Sequence, residues 1–127
     1  MNRTFLVIAA AYGFLAVALG AFGAHALDAH FTANPALEPT YETAVRYQMF
    51  HVVGLLVVAY LHGNDPARLS ATAGWLFTLG ILLFSGSLYI LAAFDVPIMG
   101  AVAPLGGLCF LTGWVLVGVR GWRSAKR

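Results

Sequence analysis

The chain has 127 residues, 61% hydrophobic and 9% charged, with a mean hydropathy of +0.83; soluble domains carry about 25% charge, so a bilayer is implied. Seven Lys/Arg against five Asp/Glu give a formal charge of +2, too weak a field for a protein that must track nucleic-acid phosphates. The one cysteine, Cys109, rules out an internal disulfide framework and Cys-cluster metal sites.

A helix needs roughly 20 mostly apolar residues to cross about 30 Å of hydrocarbon. The sequence predicts an all-α integral membrane four-helix bundle, one transmembrane domain over 1–127, with spans at about 5–24, 41–62, 71–94 and 98–119. In the first span, Ala24-His25-Ala26 after an apolar run has the form of a signal-peptide cleavage site. The run exceeds the usual 7–15 residues or so of such peptides, so it is taken as a membrane helix. In 27–39, Asn34-Pro35 and Glu38-Pro39 predict an extended surface connection, since proline lacks an amide hydrogen and disfavours the α region before it. The second span is expected to begin after Thr40, as its cap, with Glu42 in the first turn complementing the helix dipole. Its dense apolar run, 52–61, is short, so Tyr47, Gln48 and His51 are carried into the membrane. The third and fourth spans contain no charged residue and are joined by Asp95-Val96-Pro97.

Arg3, Arg68, Arg120, Arg123, Lys126 and Arg127 flank the side shared by both termini, and only Arg46 flanks the other. Positive flanks are retained in the cytoplasm. Both termini are therefore expected inside, in a multi-pass protein of the plasma membrane, the bacterial inner membrane.

Polar groups in hydrocarbon are expensive and face the bundle interior, so their depth points to a site. With a rise of 1.5 Å per residue, His51 lies about 9 Å below the outer boundary, Ser85 and Ser87 about 14 and 10 Å, and Pro104 about 9 Å. Gln48 shares a face with His51, and Tyr89 with Ser85. These residues form a predicted outer-leaflet layer, with His25, Glu42 and Arg46 above it as a polar lid and a Glu42–Arg46 ion pair expected from their spacing. His25, Glu42, Arg46, Gln48, His51, Ser85, Ser87, Tyr89 and Pro104 are the candidate ligand-binding residues. A structural role is open for each: membrane serines commonly bond within the bundle, and an apolar-span histidine commonly finds a structural acceptor. Ala16, Gly20 and Ala24 on the first span, and Gly86, Gly106 and Gly107 on the third and fourth, are expected to let helices approach closely.

No nucleophile–base pair or phosphate loop stands at a recognisable spacing, so catalysis is not indicated. No carboxylate lies within a span, which weakens a proton-coupled carrier. The leading expectation is a non-catalytic membrane protein without cofactor that binds or transports a small or lipid-like ligand. Its partners would be the lipid bilayer and a second copy or a larger membrane complex, with no nucleic acid. One rival is an accessory subunit or assembly factor of such a complex, which the small-residue faces suit. Another is a haem- or metal-dependent redox component using His25 and His51, with Glu42 as a third metal ligand. Cys109 has no basic neighbour and reads as a small buried apolar residue.

Gly20-Ala21-Phe22-Gly23-Ala24-His25-Ala26-Leu27, 42–51 (Glu42 to His51), Phe84-Ser85-Gly86-Ser87-Leu88-Tyr89 and Pro104-Leu105-Gly106-Gly107 together resemble the small four-span bacterial membrane proteins typified by YgdD and YwdK, a family of unknown function. The resemblance covers almost the whole chain. It implies a four-helix integral membrane protein with no established activity, and it brings no catalytic residues. The stretch Val96-Pro97-Ile98-Met99-Gly100 departs from the Gly-Pro-Ile-like turn of that family.

Topology is checked by cysteine labelling in a Cys109→Ser background. A cysteine introduced in 27–39 should react with an impermeant maleimide from outside intact cells, and one introduced at Ser124 should not; the reverse result overturns the orientation.

Overall fold

The computed structural model describes residues 1–124; Lys126 and Arg127, counted above for orientation, lie outside the described residues. The helices are α1 (Arg3–His25), α2 (Asp28–Ala33), α3 (Glu38–Asn64), α4 (Arg68–Gly80), α5 (Gly86–Phe94) and α6 (Ala103–Ser124), with 3₁₀ turns at Pro35–Leu37 and Pro97–Ala101. A π-helical turn, Ile81–Ser85, joins α4 to α5. Four stretches are long and apolar enough to cross a membrane: Arg3–His25, Pro35–Asn64, Arg68–Phe94 and Pro97–Ser124.

Three local expectations are corrected. The connection 27–39 is not extended but folds into α2 and a 3₁₀ turn. It packs inward through Phe31, whose ring lies 5.5 Å from that of Tyr41, and through His30, whose Nε2 lies 2.8 Å from the Ala92 carbonyl oxygen. Helix α3 begins at Glu38, with Pro39 in its first turn and no side-chain cap, so Thr40 lies inside the helix. Proline is tolerated there because its missing N–H is one of the unpaired donors of a helix start. By the same chemistry Pro104 is the second residue of α6 and exposed, so it opens that helix instead of kinking its interior.

The α5–α6 connection turns at Asp95, the single non-glycine residue with positive φ (52°) among the described residues. Aspartate tolerates this left-handed conformation better than most side chains. The turn ends α5 in one residue, and the chain re-enters the membrane through the 3₁₀ turn.

The core joins Phe5 and Ala9 of α1, Leu55, Val58 and Ala59 of α3, Ala73 and Phe77 of α4, Ile81, and Phe110 of α6. Lipid is as apolar as these side chains, so close packing rather than water exclusion must hold them. Here closeness comes from rings seated on glycines. Phe5 lies on Gly74, Phe110 on Gly80, and Phe77, fully buried, between Gly54 and Gly113. The Tyr41 ring covers Gly23, and the Phe84 backbone crosses Gly106.

The small-residue faces are therefore placed differently from the sequence expectation. On α1 Ala16 is buried, but Ala24 is exposed, and a methyl at Gly20 would make only ordinary contact with Val45 at 3.5 Å; the close approach is at Gly23. A Cβ at Gly86 or Gly107 would meet nothing within 4 Å, whereas one at Gly106 would strike the Phe84 main chain.

Adjacent glycines on α6 should thus respond oppositely to the same substitution. Gly106→Ala should destabilise by about 1–3 kcal/mol through overpacking, and Gly107→Ala should stabilise by up to about 1 kcal/mol through helix propensity, both read from unfolding in detergent.

Candidate functional site

Helix α3 carries the polar residues and is central: it packs against α1, α4, α5 and the π turn. Its inward-facing positions Tyr41, Ala44, Gln48, His51 and Leu55 are all buried and recur at the three- and four-residue spacing of one helix face.

Gln48 is the bridge. Its Nε2 donates to the Tyr12 carbonyl of α1 at 2.8 Å, and its Oε1 accepts from the Tyr89 hydroxyl of α5 at 2.8 Å. Tyr41 donates to the Leu19 carbonyl of α1 at 2.6 Å, and its ring meets that of Tyr89 edge-on at 5.2 Å. Tyr12 in turn donates to the Thr78 carbonyl of α4 at 3.1 Å. Ser85, at the end of the π turn, donates to the Ala44 carbonyl of α3 at 2.8 Å. The Gly86 N–H bonds the Ile81 carbonyl, five residues back.

His51 belongs to a second cluster. The Trp114 indole Nε1 donates to His51 Nε2 at 3.1 Å. Because an indole nitrogen only donates, Nε2 is the acceptor, and Nδ1 carries the proton given to the Tyr47 carbonyl at 2.7 Å. The imidazole is stacked on Phe110, with ring centroids 3.4 Å apart and planes 7° apart. Both ring nitrogens are occupied in a single neutral tautomer.

This separates residues that depth alone had grouped. Gln48 and Tyr89 meet, and Ser85 reaches α3, but His51 bonds none of Ser85, Ser87 and Tyr89. Ser87 donates to the Phe84 carbonyl of its own helix at 2.9 Å. His25 is exposed at the end of α1, and Glu42 and Arg46 form no ion pair among the described residues. Cys109 is half-buried.

Two open grooves lie along α3. The larger, about 530 Å³, runs between α3 and α6 and is lined by Arg46, Tyr47, Phe50, His51, Gly107, Phe110, Leu111 and Trp114. The other, about 420 Å³, lies between α1 and the start of α3; Gly20, Ala24, Glu38, Glu42 and Arg46 are among its lining residues. Arg46 borders both. Gly107, expected as a packing residue, instead leaves the floor of the larger groove open. Sequence reasoning missed Trp114 and Phe110; a tryptophan in mid-span, away from the interfacial belts, with an aromatic residue four positions earlier on the same face, was the available signal.

No group of three His, Cys, Asp or Glu side chains able to hold a metal occurs among the described residues. The donor chemistry of His51 does not fit axial haem ligation, since each nitrogen already has a partner.

If the Gln48 bridge joins α3 to α5, a double-mutant cycle of Gln48→Ala and Tyr89→Phe should return a coupling of about 0.6 kcal/mol, the average for interhelical bonds in membranes, and at most about 1.7. Additivity within error in detergent unfolding would remove the bridge from the account.

A family model described as "Protein of unknown function (DUF423)" matches residues 19–107. The chain is 44% identical over 116 residues to the UPF0382 membrane protein YwdK of Bacillus subtilis, covering 91% of this chain and 93% of that one. It is 43% identical over 126 residues to a UPF0382 membrane protein of Haemophilus influenzae, covering 98% of each. A relative in Staphylococcus haemolyticus, UPF0382 membrane protein SH2409, is 39% identical over 115 residues, covering 91% of this chain and 92% of that one. No solved structure matches significantly. With its four membrane-spanning helices and these relatives, the chain belongs to the DUF423 family of multi-pass membrane proteins.

Proposed function

We propose that this protein is a non-catalytic membrane protein that binds an acidic, lipid-like amphiphile in the α3–α6 groove, with both termini in the cytoplasm and the groove's charged end toward the outer leaflet. The observation that carries the reading is the groove's asymmetry. Its walls are aromatic and aliphatic, Phe50, Phe110, Leu111 and Trp114, while Arg46 is the cation at one end. Phe50 and Leu111 are more than half exposed toward the bilayer, so an acyl chain can enter sideways.

Arg46 precedes His51 by five residues, about 7.5 Å along the helix. That is the offset between a phosphate held at the membrane boundary and the first carbons of its chain lying on Phe50 and Trp114. A guanidinium presents a fork of donors suited to a phosphate. His51 acts as floor: its hydrogen bonds hold the Trp114 ring in place, and its neutral tautomer keeps charge out of the apolar section. The candidate layer around Gln48, Ser85 and Tyr89 is in this reading the scaffold that fixes α3, and the Glu42 carboxylate borders only the α1–α3 groove. Nothing in this arrangement supplies a nucleophile or a proton-transfer pair, which supports a binding role over a catalytic one.

Trp114 reports on the groove directly. In a Trp75→Phe, Trp122→Phe background, acyl-chain-brominated phosphatidylglycerol should quench Trp114 fluorescence at a several-fold lower mole fraction than brominated phosphatidylcholine. Arg46→Gln should abolish the difference. Equal quenching by the two lipids in the protein that retains Arg46 would overturn the proposal.

A further inference from the structure

At the other end of the bundle, Arg120 of α6 is nine-tenths buried, its side chain 7% exposed. Its Nη2 donates to the Asp65 carboxylate at 2.6 Å and to the Asp65 carbonyl at 3.1 Å, and its Nη1 donates to the Ser124 hydroxyl. Its Nε is buried with no hydrogen-bond partner among the described residues. A buried guanidinium left partly unpaired is costly. Asp65 itself is half-exposed.

Arg120 does not stand alone. A cavity of about 270 Å³ is lined by Arg120, Asp65, Arg68 and Arg123, together with the turn that starts α4. Three guanidinium groups against one carboxylate leave an excess of two positive charges on its walls. Arg68 and Arg123 are exposed, and neither has a side-chain hydrogen bond or ion pair among the described residues. The 13-residue helix α4 opens here at Ala67, with no side-chain cap and no acidic residue in its first turn, so its unpaired amides and the positive end of its dipole add to the same field.

We propose that this cavity is a phosphate-binding site, for a phospholipid headgroup or for a free phosphate anion. The site is distinct from the α3–α6 groove: Arg46 and Asp65 are separated by 19 residues along and just past α3, about 28 Å. Its volume, just under the roughly 300–1,000 Å³ of pockets that enclose small organic ligands, suits a compact anion. Asp65 orients Arg120 and neutralises one of the three charges, and Arg68 and Arg123 take the incoming oxygens from opposite helices. A bound phosphate would thereby tie the α3–α4 turn to the end of α6.

The test uses the full chain and the exchange Arg68→Gln with Arg123→Gln, which spares the buried Arg120–Asp65 contact, with Arg46→Gln as a control for the other groove. In detergent, inorganic phosphate is titrated against chloride at matched ionic strength while thermal unfolding is followed. In nanodiscs of phosphatidylglycerol or phosphatidylcholine, retained lipid is counted by native mass spectrometry after release. A saturable rise in melting temperature with phosphate, weakened at least fivefold in the double variant and unchanged in Arg46→Gln, identifies a free-anion site. Retention of phosphatidylglycerol over phosphatidylcholine that is lost in the double variant and kept in Arg46→Gln identifies a lipid headgroup. Absence of both signals in the unsubstituted protein, or their persistence in the double variant, overturns the proposal.

Discussion

The bundle depends on donors of α3 and their partners finding acceptors in a medium that offers no water. Each helix satisfies its own backbone, so the polar side chains that enter hydrocarbon must end on carbonyls of neighbouring helices or on one another. Gln48 and Tyr41 reach the carbonyls of Tyr12 and Leu19 on α1, and Ser85 reaches Ala44 from the opposite side. Without these directed bonds α1 would be held mainly by packing, and few of its residues, Phe5, Ala9, Ala16 and Gly23 among them, are buried. Polar side chains thus determine which helices are neighbours, and the rings on glycines determine how closely they meet.

The two sets cooperate at Phe77 and Phe110. Phe77 fills the space left by Gly54 and Gly113, and Phe110 that left by Gly80. Phe110 then offers its other contact to His51, whose stacking and bond from Trp114 fix the aromatic wall of the larger groove. The rigidity of that wall comes from a hydrogen-bonded imidazole rather than from more apolar volume.

The four spans were legible because hydrophobic length is set by bilayer thickness, and charge asymmetry at the span ends yields an orientation. The polar residues were legible as costly, and Gln48 with Tyr89 even as neighbours in depth. The partner of His51 was not: depth places a residue along the membrane normal but says nothing about its azimuth around the bundle, and His51 faces α6 while Gln48 faces α1 and α5. Glycine roles were hidden for a similar reason. Gly106 and Gly107 are adjacent in sequence, yet one lies under the Phe84 backbone and the other on open space, a distinction set by 100° of helix rotation. The connection 27–39 was misjudged because Phe31 and His30, which dock it, resemble ordinary interfacial residues when the prolines are weighed alone.

The π turn at Ile81–Ser85 places one residue more in its turn than an α-helix would. That surplus lets α4 present Phe77 toward α3 and α6 while α5, beyond the turn, presents Ser87 and Ala92 to the interior. Deleting a single residue from the turn would shorten the span by little more than an ångström. It would also swing everything from Gly86 to Phe94 through about 100°, carrying the Tyr89 hydroxyl away from Gln48. Within this span, residue count therefore controls facing direction far more strongly than it controls length.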